Sequence, residues 1–284
     1  MTERTIAACI DGSSYASAAC DAAIWAASKL DAPLMFVNVI SRRKHAAATD
    51  YSGQIGLGTR EHLLDELSEL DGQRARIARE RGRDFLKNAS QRAIDAGRTE
   101  PDTYLRNGEL VDALHTIDED LRLLVLGKRG ESAGDDDHLG SNLERVIRGI
   151  NAPIFITNEQ FTPPERVLIA FDGSSTGLNL IERAAVNPLL SQVELHLVYV
   201  GQPDDKRRAQ IEGAEETLRD AGANLTTTIL EGEVESVLHE YQQKHLIDLM
   251  VMGAYGHTRI RQWLVGSTTT DMIRRSEVPI LIVR

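Results

Sequence analysis

The segment RTIAACIDGSSYASAACDAAIWAASKL, opening at Arg4, is answered by RVLIAFDGSSTGLNLIERAAVNPLL, opening at Arg166. Each runs from an apolar strand pattern into Asp-Gly-Ser-Ser and then into a helical pattern, so one strand–turn–helix unit is written twice. A chain of 284 residues, at roughly 100–200 residues per domain, accommodates two copies that each bury a core. Whatever this chain folds into must therefore explain a duplication.

The correspondence continues. RNGELVDALHTIDEDLRLLVLG matches LEGEVESVLHEYQQKHLIDLMVMG, a short strand, a helix and a strand ending in Gly, and LERVIRGINAPIFIT matches TDMIRRSEVPILIVR. Each half reads β-α-β-α-β-α-β-α-β, and short apolar runs alternating with helical patterns predict a parallel sheet with helices on both faces. The fold class is α/β, two tandem doubly wound domains spanning 1–158 and 166–284, for which strand order 3-2-1-4-5 is taken as the expectation. The linker, 159–165, lies within NEQFTPPER, marked by its paired prolines. Asp11 and Asp172 are 161 positions apart, whereas Gly127 and Gly253 are 126 apart, so the first half carries about 35 extra residues. These fall at about 41–72, read either as a surface loop running into an extended second helix or as a lid or partner-docking element.

Composition bounds the function classes. A formal charge of −11 and a pI near 5.3 oppose a nucleic-acid surface, which needs a basic patch. No apolar run approaches the 18 or so residues of a membrane helix, and the N-terminus lacks a charged segment followed by an apolar one; a cytoplasmic, non-membrane protein is expected. In a reducing compartment Cys9 and Cys20 read as small buried hydrophobes.

The chemistry lies in two glycine-punctuated stretches. Gly253, Gly256 and Gly266, followed by Ser267 and Thr268, stand after a strand and before a helix. Gly127, Gly130, Gly140 and Ser141 repeat the spacing. Glycines allow close backbone approach and let successive N–H groups face an anion, and a helix N-terminus adds its positive dipole end. In a doubly wound sheet, ligands bind where strand order reverses, between strands one and four. There Asp172 would meet Gly253, and Asp11 would meet Gly127. A carboxylate at that place can accept ribose hydrogen bonds or help hold a divalent metal, and the apolar end of strand two can flank a base; together these describe a nucleotide. His257, Arg259 and Arg261 in the second loop could screen further charge, or be solvated surface residues. Asp135, Asp136 and Asp137 make the first loop unfavourable for a triphosphate, partly offset by Lys128 and Arg129. A metal set of Asp135, Asp137 and His138 is conceivable but lacks an octahedral complement. Ser13, Ser14, Ser174 and Ser175 are expected to cap helices rather than act as nucleophiles.

On these motifs the sequence resembles the universal stress protein family, specifically its tandem-domain members, over nearly the whole chain. The resemblance implies a Rossmann-like fold and ATP binding through Gly-x2-Gly-x9-Gly-Ser/Thr. It implies ribose or metal contacts from Asp172 and Asp11, with Mg or Mn as the accompanying cation. Adenine would meet the main chain at Val200 and Val39, beside Ala170, with Met252 and Leu126 lining the base pocket. The second site is favoured. The implied role is a stress-response or signalling module. The alternatives are a slow ATPase or phosphotransferase, for which neither a Gly-x4-Gly-Lys-Ser/Thr loop nor a kinase signature is present, and a nucleotide-free scaffold. APIFIT and VPILIVR read as apolar edge strands, which invite pairing; an internal pseudo-dimer is expected, and a homodimer of chains is left open.

Overall fold

In the computed structural model of the chain, residues 4–41, 57–131, 141–253 and 272–283 are described. The first half contributes β1 (Thr5–Cys9), α1 (Ala16–Leu30), β2 (Leu34–Ile40), α2 (Leu57–Asp95), β3 (Asp102–Asn107), α3 (Leu110–His115), β4 (Leu121–Gly127), α4 (Ser141–Gly149) and β5 (Ile154–Thr157). The second contributes β6 (Arg166–Ala170), α5 (Ser175–Ala185), β7 (Glu194–Val200), α6 (Asp205–Asp220), β8 (Asn224–Leu230), α7 (Val234–Lys244), β9 (Leu249–Gly253) and β10 (Ile280–Val283). Residues 272–275 are also helical.

All ten strands join one sheet in the order β3-β2-β1-β4-β5-β10-β9-β6-β7-β8. Each half is thus 3-2-1-4-5, parallel throughout, and the two halves meet where β5 and β10 run antiparallel. At that seam Ile280 faces Ile156, Leu281 faces Phe155 and Ile282 faces Ile154. The edge strands that the sequence left exposed therefore pair with each other inside the chain. Burial follows position. The central strands β5, β9 and β10 are apolar and almost wholly buried, as strands covered on both faces must be, whereas the outer β3 and β8 alternate or expose their residues.

Two cores sandwich the sheet. On one face lie α1, α2, α5 and α6, with Phe36, Val125, Phe155, Ile169 and Leu281 beneath them. On the other lie α3, α4, α7 and residues 272–273, over Leu124, Ile154, Leu168, Met250 and Ile280. Helix α1 buries nine of its 15 residues, most of them alanine, and such small side chains let a helix axis approach the sheet closely. It stops at Asp31, whose left-handed φ of 46° lets its N–H bond the Ala27 carbonyl.

The second helix of the first half has 39 residues against 16 in its counterpart α6. The extra length thus includes the extended helix, while residues 42–56 of the insertion lie outside the described residues. Cys20 is buried and Cys9 half-buried, both as free thiols. Burial chiefly, with Asp21 adding to it, pushes the Cys20 thiol up to about 12. No helix among the described residues is long and apolar enough to cross a membrane.

Candidate functional site at the carboxyl edge of the sheet

Parallel pairing of β6 with β9 sets Ala170 beside Met252, so the turn at Asp172 and the strand end at Gly253 share one edge. Pairing of β1 with β4 does the same for Asp11 and Gly127. On the α7 face, Ala170, Val200 and Met252 belong to one apolar cluster, as do Val39 and Leu126 in the first half. Met252 and Leu126 are buried, and Val200 and Val39 are half-buried at the ends of β7 and β2. Of the sequence-predicted contacts, Ala170, Asp172, Val200, Met252 and Gly253 are therefore brought together. Gly256, His257, Gly266, Ser267 and Thr268, with Arg259 and Arg261, lie outside the described residues, as do Gly140 and the Asp135–His138 run; Ser141 begins α4.

The halves differ in what stands beside each strand-one carboxylate. In the first, Asp11 is consumed by the protein. Its Oδ1 accepts the Ser13 amide at 3.0 Å and hydroxyl at 2.5 Å, and its Oδ2 accepts the Glu131 amide at 3.0 Å, which holds Glu131 against it. A Cβ on Gly130 would stand 3.0 Å from that same oxygen. The Glu131 carboxyl lies over the turn, 3.1 Å from where a Gly12 Cβ would be, and Tyr15 packs so closely on Gly127 that an added Cβ would sit 2.5 Å from the Tyr15 Cβ. At Cys9, the counterpart of Ala170, burial and then Asp11 push the thiol well above the ordinary range, which disfavours the thiolate.

In the second half Asp172 is exposed, and its one hydrogen bond among the described residues comes from the Ser174 amide at 2.9 Å. The position of Tyr15 is taken by Thr176, whose methyl lies 3.3 Å from a Cβ built on Gly253. The position over the turn is taken by a cation. Arg207 of α6 donates to the Gly173 carbonyl and, at 2.9 Å, to Gln210. Gly173 has φ +66°, a conformation that favours glycine, and an added Cβ would stand 2.8 Å from the Arg207 guanidinium, which would have to move. Two unit charges 4 Å apart interact by about 4 kcal/mol at an effective dielectric near 20, less where solvent screens them. Among the described residues the charge over the turn thus changes sign between the halves, from the Glu131 carboxylate to the Arg207 guanidinium.

Sequence patterns did not disclose Tyr15, Thr176, Glu131 or Arg207. The only available signal was the substitution of Tyr by Thr between the two Asp-Gly-Ser-Ser copies. The capping role expected of the serines holds for Ser174, which accepts the Gly177 amide at 3.0 Å. It fails in the first half, where α1 has no side-chain cap; there Ser13 binds Asp11 and Ser14 binds Glu159 of the linker at 2.6 Å. Lys128, expected to offset the acidic loop, donates to the Ser276 carbonyl at 2.9 Å and so ties the halves together. Among the described residues no three His, Cys, Asp or Glu side chains cluster as a metal site.

The profile of the Universal stress protein family matches residues 3–158 and 201–284. Universal stress protein Slr1230 of Synechocystis is 36% identical over 286 aligned residues, covering 99% of this chain and 100% of the relative. Universal stress protein YxiE of Bacillus subtilis is 29% identical over 149 residues, 52% of this chain and 93% of its own. Among solved structures, a universal stress protein from Archaeoglobus fulgidus superposes with a TM-score of 0.71 at 21% identity, covering 99% of this chain and 96% of that one, a likeness of fold. With two doubly wound halves in tandem and a full-length relative, the chain belongs to the universal stress protein family.

Proposed function

We propose that this protein is an ATP-binding stress-response or signalling module, with domains at 1–158 and 166–284 and the nucleotide held mainly by the second. Asp172 would receive the ribose or, with Mg or Mn, the cation. Ala170, Val200 and Met252 would flank the base. Gly253, with Gly256, Gly266, Ser267 and Thr268, would offer main-chain donors to the phosphates, and His257 would stand nearby. The observation that carries this reading is the contrast over the Asp-Gly turn, Arg207 and an exposed Asp172 in the second half against Glu131 and a fully engaged Asp11 in the first. Occupancy can act as a signal only through different affinity for two conformations or two partner-bound states.

Native mass spectrometry of protein purified without added nucleotide, then titrated with ATP, tests it. One adenine nucleotide per chain is expected, with binding at least tenfold weaker in Gly253→Val/Gly266→Val and in Arg207→Glu. No complex at millimolar ATP removes the proposal. Phosphate release by the wild type that is indistinguishable from the glycine variant leaves binding without turnover.

A further inference from the structure

The antiparallel pairing of β5 with β10 relates the two halves by an approximate two-fold axis, so each side chain near the seam has a counterpart. On one side the space above the sheet is full. Trp25 of α1, Phe155 of β5 and Phe161 of the linker form an aromatic trio with ring centroids 5.5–6.1 Å apart. The counterparts of Trp25 and Phe155 are Val186, which stands as far beyond Asp172 as Trp25 does beyond Asp11, and Leu281, the register partner of Phe155. Replacing an indole by an isopropyl group and a phenyl by an isobutyl group removes volume, and a cavity of about 250 Å³ stands there.

The lining is chemically divided. Leu123, Leu180, Leu190, Leu281 and Val283 supply an apolar floor, and Val186, 80% exposed, stands at the rim. Two cations complete it, the exposed Arg122 and Arg183. Arg122 gives one N–H to the Leu30 carbonyl at 2.8 Å, and Arg183 makes no hydrogen bond or ion pair among the described residues. Among the described residues no carboxylate lines the cavity, although the chain carries 43 acidic residues and a net charge of −11. Nor do Ala170, Asp172, Val200, Met252 or Gly253, the described residues assigned to the nucleotide. In size it lies between an engineered cavity of about 150 Å³ that takes benzene and the roughly 300–1,000 Å³ of drug-sized sites, too small for a nucleotide.

We propose that this interdomain cavity binds a small amphipathic carboxylate, whose apolar body packs between α1 and α5 and whose anionic end meets Arg122 and Arg183. Because the floor combines Leu123 of β4 with Leu281 and Val283 of β10, such a ligand touches both halves and reinforces the seam. The site is independent of nucleotide binding.

Calorimetric titration with octanoate tests the assignment on the full chain. Saturable one-to-one binding is expected, with 1-octanol at least tenfold weaker because it cannot form charge-assisted bonds to the guanidinium groups. Val186→Trp, which restores the bulk present on the other side, abolishes octanoate binding, and Arg183→Glu weakens it about tenfold or more. Unchanged circular dichroism and unchanged ATP titrations in both variants attribute the losses to the cavity. The proposal is overturned by absence of binding at millimolar octanoate, by full affinity in Val186→Trp, or by equal affinity for octanoate and octanol. Should Val186→Trp fail to fold, Arg183→Glu decides.

Discussion

Gly127 and Gly253 occupy equivalent strand ends, yet their surroundings set different penalties for a methyl group. At Gly127 it would meet the Tyr15 Cβ at 2.5 Å and the Arg129 carbonyl at 3.3 Å, neither of which is a flexible tip; at Gly253 the nearest atom among the described residues is a Thr176 methyl at 3.3 Å. Gly127→Ala is therefore expected to destabilise by about 1–3 kcal/mol, as overpacking does, and Gly253→Ala by less, a difference measurable by urea unfolding. His196 gives a residue-scale pH dependence. Its Nδ1 meets the Tyr241 hydroxyl at 2.9 Å, the His245 ring lies alongside, and burial lowers its pKa despite Glu194. A depressed pKa means that the unfolded chain takes up the proton first, so the stability this group contributes is present above the unfolded value of about 6.5 and is lost as pH falls through the folded one. The melting temperature should fall more between pH 7 and pH 5 in wild type than in His196→Gln; equal falls would refute the assignment. The strand-end positions of Gly127, Gly253 and Asp172 were legible in the sequence because the spacing of small residues after apolar runs is itself the pattern. Arg207 was not, because nothing local marks a surface-looking arginine as the partner of a carbonyl 34 residues away.

At the level of elements, strand composition matches position in the sheet, although VPILIVR reads in the sequence as an edge strand. ILIV and LMVMG, apolar at every residue that carries a side chain, lie at the centre and are buried on both faces, and NLTTTIL lies at an edge. The helix extending to 39 residues was also readable, as one of two outcomes of the insertion. The aromatic trio was invisible, since Trp25, Phe155 and Phe161 come from a helix, a strand and the linker. Phe155 is 1% exposed and its ring meets both of the others, so Phe155→Ala should cost about 3–5 kcal/mol. Leu281→Ala, bordering space that is already open, belongs near the lower end of the roughly 2–5 kcal/mol range for its type. Denaturant midpoints in the reverse order would contradict this account of the seam.

For the whole molecule, the seam rather than the linker holds the halves together. It comprises three paired residues of β5 and β10, the Lys128 bond to Ser276, and packing on both faces of the sheet. A protease site introduced around residues 162–164 should, after cleavage, leave two fragments that co-elute at the intact size; separation under native conditions would show the linker to be essential. The sequence by itself determined the duplication, the order of strands and helices along the chain, and the strand-end place of Asp11, Gly127, Asp172 and Gly253, because these follow from local periodicity and backbone preference. The order 3-2-1-4-5 is supposed for a doubly wound sheet rather than read from the residues, and the sheet bears it out in both halves. Only the tertiary structure decided which of two like crevices faces a cation and which faces a carboxylate, and that the seam is full on one side and open on the other. Those outcomes depend on residues such as Asp11 and Glu131, 120 positions apart, and proximity of that kind is created by chain topology, which no short window of sequence encodes.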